Sequence, residues 1–248
     1  MTVSPEPFLR ARGLSKRYGH VIALDSVDID VYEGEILALV GDNGAGKSTL
    51  IKILSGVHQP DKGEIVVADQ ATRLGNPHRA RELGIATVYQ NLALVDLRDV
   101  AANLYLGREP LRWRWFVDKR AMAKGALEII AGLKVNLPSV STLVGQLSGG
   151  QRQSIAIGRA TAQNGRVIIM DEPTAALGVK ESRKVLDLIL HLKAAGKGVV
   201  IVSHNMRQVF SIADRIEVLR HGRNVGVRRR GETTPDEIVK LIVGIDSV

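Results

Sequence analysis

The sequence contains no cysteine. Disulfide bridges and thiolate metal centres are therefore excluded, and a reducing compartment is permitted. Aromatic residues are scarce, 4% of 248, so a core has to be assembled from Val, Ile, Leu and Ala. No stretch approaches the roughly 18–20 apolar residues that a bilayer span requires, so work at a membrane would need a spanning partner chain. Met1–Arg12 lacks the apolar segment of a secretory leader, and none is expected.

What is present suits a folded domain. Hydrophobic residues make up 45% and charged residues 24%, ordinary fractions for a globular protein. The length fits one large domain or two coupled small ones. The net charge of +8 is compatible with nucleic acid, an anionic membrane surface or anionic ligands. Part of it is local: Arg228, Arg229 and Arg230 read as a solvated strand end, with anionic lipid as the sharper alternative.

Periodicity predicts strands in Phe8–Val31, where Leu24, Val27, Ile29 and Val31 keep mostly to period two. Ile36–Val40 is continuously apolar, as in a strand covered on both faces. A Gly-rich loop and a helix beginning at Thr49 follow, closed by Gly56 and Pro60. Glu64–Ala68, Ile85–Tyr89, Val167–Met170 and Gly198–Val202 are further strands. Asn91–Gln163 reads as mostly helical, including a helix capped by Asp118 with an apolar face of Met122, Leu127, Ile130 and Leu133. Lys180–Ala195 reads as a helix. Ile216–Leu219 and Arg223–Val227 flank a turn at His221-Gly222, and Pro235 opens a last helix. Strands alternating with helices predict a largely parallel α/β sheet split in sequence by a helical insert.

Gly41-Asp42-Asn43-Gly44-Ala45-Gly46-Lys47-Ser48 matches the phosphate-loop pattern at every fixed position, between a predicted strand and a predicted helix. Glycines let the backbone wrap phosphates, while free N–H groups and a helix N-terminus attract their charge. Lys47 is expected at the β and γ phosphates, Ser48 on Mg²⁺ and Thr49 beside the α or β phosphate. The apolar strand Val167–Met170 ends in Asp171 and Glu172. Adjacent acids there can serve as mere solvation or a helix cap. Beside a nucleotide loop they read as a Mg²⁺-orienting carboxylate, Asp171, and a general base for water, Glu172.

Leu147-Ser148-Gly149-Gly150-Gln151 resembles the signature motif of ATP-binding-cassette (ABC) proteins, and the resemblance covers nearly the whole chain. It implies an α/β fold: a phosphate-loop NTPase (RecA-like) core with an antiparallel β subdomain, residues 1–90 and 162–248, and an inserted α-helical subdomain, residues 91–161. It implies ATP and Mg²⁺ as ligands. Ser148, Gly149, Gly150 and Gln151 would contact, in trans, the γ-phosphate held by a second copy. Tyr18 matches the aromatic that stacks on adenine, though a lone Tyr also suits a core. Gln90 matches the glutamine that contacts Mg²⁺ and the lytic water, and whose loop couples to membrane partners. His204 matches the histidine whose imidazole, expected neutral, holds the γ-phosphate and keeps Glu172 and water in line. His20, His58, His78, His191 and His221 have no such context and read as surface residues. The chain departs from the family at Gly178, where an Asp is usual; hydrolysis is expected to survive with altered coupling between the two sites.

Gly41–Gly46, Ile53–Gly56, Asp171–Gly178 and Glu237–Gly244 resemble bacterial carbohydrate importers of the ribose, xylose and fructose type, in their single-cassette branch. That implies a homodimer, transmembrane permease subunits, a periplasmic sugar-binding protein acting indirectly, and a peripheral place on the cytoplasmic face of the cell membrane. No nucleic-acid partner is expected. An exporter subunit, a non-transport ATPase acting on nucleic acid or ribosomes, and a cassette that binds without turnover are the rival readings. Arg112-Trp113-Arg114-Trp115-Phe116 holds both tryptophans, and is expected as a core anchor or permease contact.

Overall fold

The computed structural model describes residues 6–162 and 164–245. The start of the Met1–Arg12 segment and Gln163, at the close of the predicted helical stretch, lie outside the described residues.

Two larger sheets carry the architecture. The first is antiparallel and joins β1 (Leu9–Tyr18), β2 (Val21–Val31), β4 (Lys62–Val67) and β5 (Gln70–Thr72) in the order β2-β1-β4-β5. The second joins β3 (Ile36–Val40), β6 (Ile85–Val88), β9 (Val167–Asp171), β10 (Gly198–Val202), β11 (Arg215–Arg220) and β12 (Arg223–Arg229) in the order β12-β11-β3-β10-β9-β6. All its neighbours pair in parallel except β11 and β12, the predicted hairpin.

Side-chain alternation divides the core. Leu37, Leu39, Val167, Ile169, Val200 and Val202 face the antiparallel sheet and α1 (Lys47–Leu54). Ile36, Ala38, Val40, Ile168, Met170, Val199 and Ile201 face the opposite layer. That layer is built from α5 (Gly149–Thr161), α6 (Val179–Ala194), α7 (Met206–Ile212) and α8 (Pro235–Val243). Both faces of β3 are covered, which is why all five of its residues are apolar and buried.

The stretch between β6 and β9 is less helical than its pattern predicts. It holds α3 (Val100–Leu104), α4 (Lys119–Gly132) and α5, around a small core of Val100, Leu104, Ala126, Ile130, Val144, Leu147 and Ile155. Asp118 caps α4, accepting from the N–H groups of Arg120 and Ala121. The predicted face of α4 needs one correction: Leu127 is exposed and Ala126 is buried in its place. At 3.6 residues per turn, position 127 lies about 140° round the helix from Met122, whereas 126 stays on its stripe.

A second correction concerns the tryptophans. Leu111–Arg112 (β7) and Phe116–Val117 (β8) form a two-stranded hairpin, with Trp113 and Arg114 at positive φ in its turn. Trp113, Trp115 and Phe116 are 75%, 85% and 67% exposed. None of them enters a hydrophobic cluster, so the core-anchor reading fails. The short α2 (Pro77–Glu82) is capped by Asn76 before β6.

The antiparallel sheet is stitched to the β11–β12 hairpin by a polar link through the half-buried Asn224. Asn224 accepts from the Asp28 N–H at 2.8 Å and donates to Glu217 Oε1 at 2.5 Å. Glu217 is 1% exposed. Burial pushes its carboxyl up to about 7; Arg215 and Asn224 oppose that rise, and Asp30 and Asp28 add to it.

Candidate active site

Four parallel strands end on one edge of the central sheet, and each delivers a candidate residue there. β3 leads into the phosphate loop, β9 ends at Asp171-Glu172, β10 leads through Ser203 to His204, and β6 leads through Tyr89 to Gln90. The register makes this explicit: Val202 lies opposite Leu39 on one side and Asp171 on the other, and Met170 lies opposite Val88. The C-terminal edge of a parallel sheet is where such folds bind ligands.

The phosphate loop is shaped by contacts that only glycine tolerates. A Cβ at Gly41 would lie 2.2 Å from the Leu219 carbonyl oxygen, and one at Gly46 would lie 2.6 Å from that of Ala23. Gly46 has φ of 104°, a left-handed conformation at the start of α1. The Ala45 N–H closes the loop onto the Asp42 carbonyl at 3.1 Å, and Gly222 of the β11–β12 turn donates to the Ala45 carbonyl. The Asn43 N–H is taken by the Asp42 carboxylate at 2.7 Å. Ala45 is buried, Gly44 and Ser48 are exposed, and Thr49 is half-buried. Helix α1 begins at Lys47, not at the predicted Thr49, so the helix N-terminus reaches the loop itself.

Lys47 Nζ donates to the carbonyls of Gly41 and Asp42, at 2.7 and 2.8 Å. Burial pulls its pKa down, opposed by the charges of Glu172, Asp42 and Asp171. Burial raises the pKa of Asp171, the charge of Glu172 raises it further, and Lys47 and Lys52 oppose. The same charges feel one another, so the loop lysine and the acidic pair share one site.

Glu172 has φ of 49° and its N–H donates to the Val202 carbonyl at 3.0 Å. This bend turns the chain out of β9 and aims the carboxylate at His204, whose Nδ1 is 2.8 Å from Glu172 Oε1. The Glu172 side chain is 18% exposed and that of His204 is 76%, so the imidazole reaches outward from a sheltered acid. The two line a cavity of about 710 Å³ with Thr174, Ser203 and Gln208.

Among the described residues no three His, Cys, Asp or Glu side chains cluster as a metal cage. Ser48, Asp171 and the exposed Gln90 offer a hydroxyl, one carboxylate and an amide oxygen. That sparse oxygen set suits Mg²⁺, which keeps waters and takes its remaining ligands from substrate phosphates.

Ser148 caps α5, accepting from the Gln151 N–H, while the Gln151 side chain accepts from the Ser148 N–H and donates to the Asn136 carbonyl. Ser148 and Gly149 are exposed and Gly150 is buried. Among the described residues no hydrogen bond joins this segment to the phosphate loop of the same chain. Tyr18 is 43% exposed at the tip of the β1–β2 hairpin, edge-on to His58 at 5.7 Å between centroids. His58 and His191 are half-buried with specific contacts, His191 Nε2 lying 2.8 Å from the Gly132 carbonyl, which corrects the reading of both as plain surface residues.

A family profile described as "ABC transporter" matches residues 24–175. The chain belongs to the ABC transporter family. It is an ATP-binding cassette and an ATPase of that family. It is 48% identical to the fructose import ATP-binding protein FrcA of Rhizobium meliloti, over 98% of this cassette and 96% of that protein. It is 43% identical to the xylose/arabinose import ATP-binding protein XylG of Sulfolobus acidocaldarius, over 94% and 93%. Among solved structures it resembles the ADP conformation of an ATP-binding cassette of an ABC transporter, with a TM-score of 0.83, 27% identity and 96% of each chain covered. It also resembles the dimeric post-hydrolysis state of a cassette bound to ADP and Pi, with a TM-score of 0.75, 27% identity, and 90% and 98% covered.

The cassette has residues that motif reading passed over. Arg159 of α5 donates to the carbonyls of Leu92 and Ala93, just beyond Gln90, and so ties the signature helix to that loop. Asn103, fully buried, donates to the carbonyls of Val95, Arg98 and Asp99 and accepts from the Val95 N–H. Leu92, Ala93, Arg159, Tyr89 and Leu106 border a groove of about 320 Å³ beside Gln90. Neither residue lies in a recognisable motif; only a helical spacing from the signature segment, as for Arg159, hints at it.

Proposed function

We propose that this cassette powers uptake of a simple sugar through partner membrane subunits, as a homodimer in which each ATP is held by one copy and closed over by the other. The carrying observation is the pairing of Glu172 with His204 on the strand edge that also holds the phosphate loop. The import names of the full-length relatives support the sugar, and the dimeric solved cassettes support the two-copy arrangement.

In this reading the N–H groups of Gly44 to Thr49 hold the phosphates and Tyr18 stacks on adenine. Lys47 leaves its two carbonyls for the β and γ phosphates. Ser48, Asp171 and Gln90 would hold Mg²⁺, which when bound would neutralise charge developing on the phosphate oxygens. Glu172 accepts the proton of the attacking water. His204 orients Glu172 through Nδ1. A neutral imidazole donating there has a bare Nε2, so donation to the γ-phosphate calls for the imidazolium. Ser148–Gln151 of the second copy caps the same phosphate with a hydroxyl and a helix N-terminus. Hydrolysis removes that bridge and the pair reopens.

The division into residues 1–90 with 162–248 and residues 91–161 is part of the same proposal: one body carries the phosphate loop, the other the signature tip. In the same reading the groove beside Gln90 takes a helix of the permease, and the cassette works on the cytoplasmic face of the membrane. No helix among the described residues is long and apolar enough to cross a bilayer. A periplasmic sugar-binding protein would act through that permease. The test is purification with the co-encoded membrane and binding subunits, followed by ATPase assays across simple sugars. Stimulation by one sugar is expected; sugar-independent ATPase in the intact assembly would reject the import reading.

A further inference from the structure

The β7–β8 hairpin stands clear of the body on both faces. Leu111 lies opposite Val117 and Arg112 opposite Phe116, so the two pairs point to opposite sides, and all four residues are exposed. Trp113 and Arg114 occupy the turn, which the Trp115 N–H closes on the Arg112 carbonyl at 3.3 Å. Both take the left-handed backbone for which a tight hairpin ordinarily recruits Asn or Gly. The sequence thus puts a bulky indole and a guanidinium at a tip that two small residues would form more readily.

The charge around this tip has one sign. Arg112, Arg114, Lys119 and Arg120 are exposed and, among the described residues, enter no ion pair. The Arg112 guanidinium lies over the Trp113 ring, 4.9 Å from its centroid, which holds cation and indole side by side. The acids that flank the hairpin are turned to the backbone: Asp118 accepts from the Arg120 and Ala121 N–H groups, and Glu109 from that of Gly107 at 3.3 Å. The other basic run of the chain differs. Arg228 is spent on Glu237 at 2.7 Å, and the run Arg228–Arg230 contains no aromatic residue.

We propose that the β7–β8 hairpin is a lipid-contacting site: Trp113, Trp115 and Phe116 enter the interface of an anionic bilayer while Arg112 and Arg114 hold its phosphate headgroups. Indole rings favour the headgroup level of a membrane, and basic side chains beside them add attraction to anionic lipid. A convex tip fits a deformable surface, whereas single-stranded nucleic acid takes stacking rings set in a groove, and a partner helix takes a groove as well. The placement of the hairpin agrees. Leu106 borders the groove beside Gln90, and Leu111 follows five residues later, at most about 18 Å along the chain. This rests on the reading in which that groove takes a permease helix, because such a helix brings the bilayer to the same side of the cassette. The hairpin then gives the cassette a second hold on the membrane, made directly to lipid.

The test floats the full-length cassette with vesicles of phosphatidylcholine, or of equal parts phosphatidylcholine and phosphatidylglycerol. Association with the anionic vesicles and not with the zwitterionic ones is expected, weakening as salt is raised. The whole chain is basic, so charge attraction by itself decides nothing. The deciding variant, W113S/W115S/F116S, keeps every charge and should lower the partition coefficient by about ten-fold or more. Arg112→Gln together with Arg114→Gln should lower it by roughly twenty-five-fold, about five-fold per basic residue. R228Q/R229Q/R230Q removes one charge more and should cost less than the hairpin pair. Unaltered ATPase activity and Tm show that the hairpin variants stay folded. No flotation of the unaltered chain, equal flotation of the aromatic variant, or a larger loss from the 228–230 variant than from the hairpin pair overturns the assignment. An aromatic variant that floats normally but loses permease co-purification or oligonucleotide binding assigns the tip to those partners instead. Flotation needs neither permease nor sugar, so its failure is separate from failure of the import reading, which the sugar-stimulated ATPase assay decides.

Discussion

His204 Nδ1 stands 2.8 Å from Glu172 Oε1, joining the first residue beyond β9 to the second residue beyond β10. The bond spans two neighbouring parallel strands, so its geometry follows from sheet register and not from a flexible loop. Removing His204 should leave Glu172 chemically intact but free to turn. For His204→Ala we expect kcat to fall about 10²-fold or more, with the KM for ATP changed less than about three-fold. Steady-state ATPase assays check this; an unchanged kcat rejects the pairing as functional.

Glu172→Gln keeps the size of the base and removes its proton affinity. Turnover is expected to fall by about 10³-fold, and ATP should hold two copies together. Size-exclusion chromatography with light scattering, with and without ATP, reads the second effect. Normal hydrolysis by this variant would show that Glu172 is not the base.

Lys47 is held by two backbone carbonyls, 2.7 and 2.8 Å away, inside the loop it is meant to serve. A charged hydrogen bond of this class is worth about 1.5–3 kcal/mol, so Lys47→Ala should weaken ATP binding by roughly ten- to a hundred-fold. Titration with a fluorescent ATP analogue measures it. Unaltered affinity would count against the phosphate-loop assignment.

Glu217 has a folded pKa of about 7 against an ordinary 4.5. Between those values the native state holds a proton that the unfolded chain has lost, so stability falls as pH rises and levels off above the folded pKa. The penalty on the charged form is on the order of 3 kcal/mol. Gln at 217 keeps an acceptor for Asn224 and cannot ionise. Glu217→Gln should therefore raise Tm by several degrees at pH 8 and by little at pH 5, at roughly 2–4 °C per kcal/mol. Calorimetry at the two pH values decides; an equal effect at both would refute the titration.

Asn103 satisfies the backbone of 95–99 through four hydrogen bonds while itself fully buried. Asn103→Leu should cost about 2–4 kcal/mol, since it strands buried donors and acceptors. Chemical denaturation gives the number. A neutral result would mean that water replaces the amide.

Legibility in the sequence followed the range of the forces involved. The run Ile36–Val40 announced a strand because burial on both faces leaves every position apolar. The glycines at 41 and 46 stood out because the backbone there meets carbonyls at distances no Cβ survives. The pairing of Glu172 with His204 was implied by the resemblance to the ABC family, since apolar runs alone name no partner for either residue. Other features depend on tertiary neighbours that no local pattern records. Glu217 is buried because β12 folds back and Asn224 covers it. Leu127 loses its place to Ala126 through a single step in helical phase. Trp113 and Trp115 have core-like chemistry and no core beside them.

That last arrangement has a practical side. With both tryptophans of the chain on one solvent-bathed hairpin, native indole emission should already lie near the wavelength of the unfolded protein. A melt followed by that light would therefore miss the collapse of an aliphatic interior. The same optical signal would shift to the blue whenever another surface covers the hairpin, which gives the molecule a built-in, label-free gauge of contact at that corner.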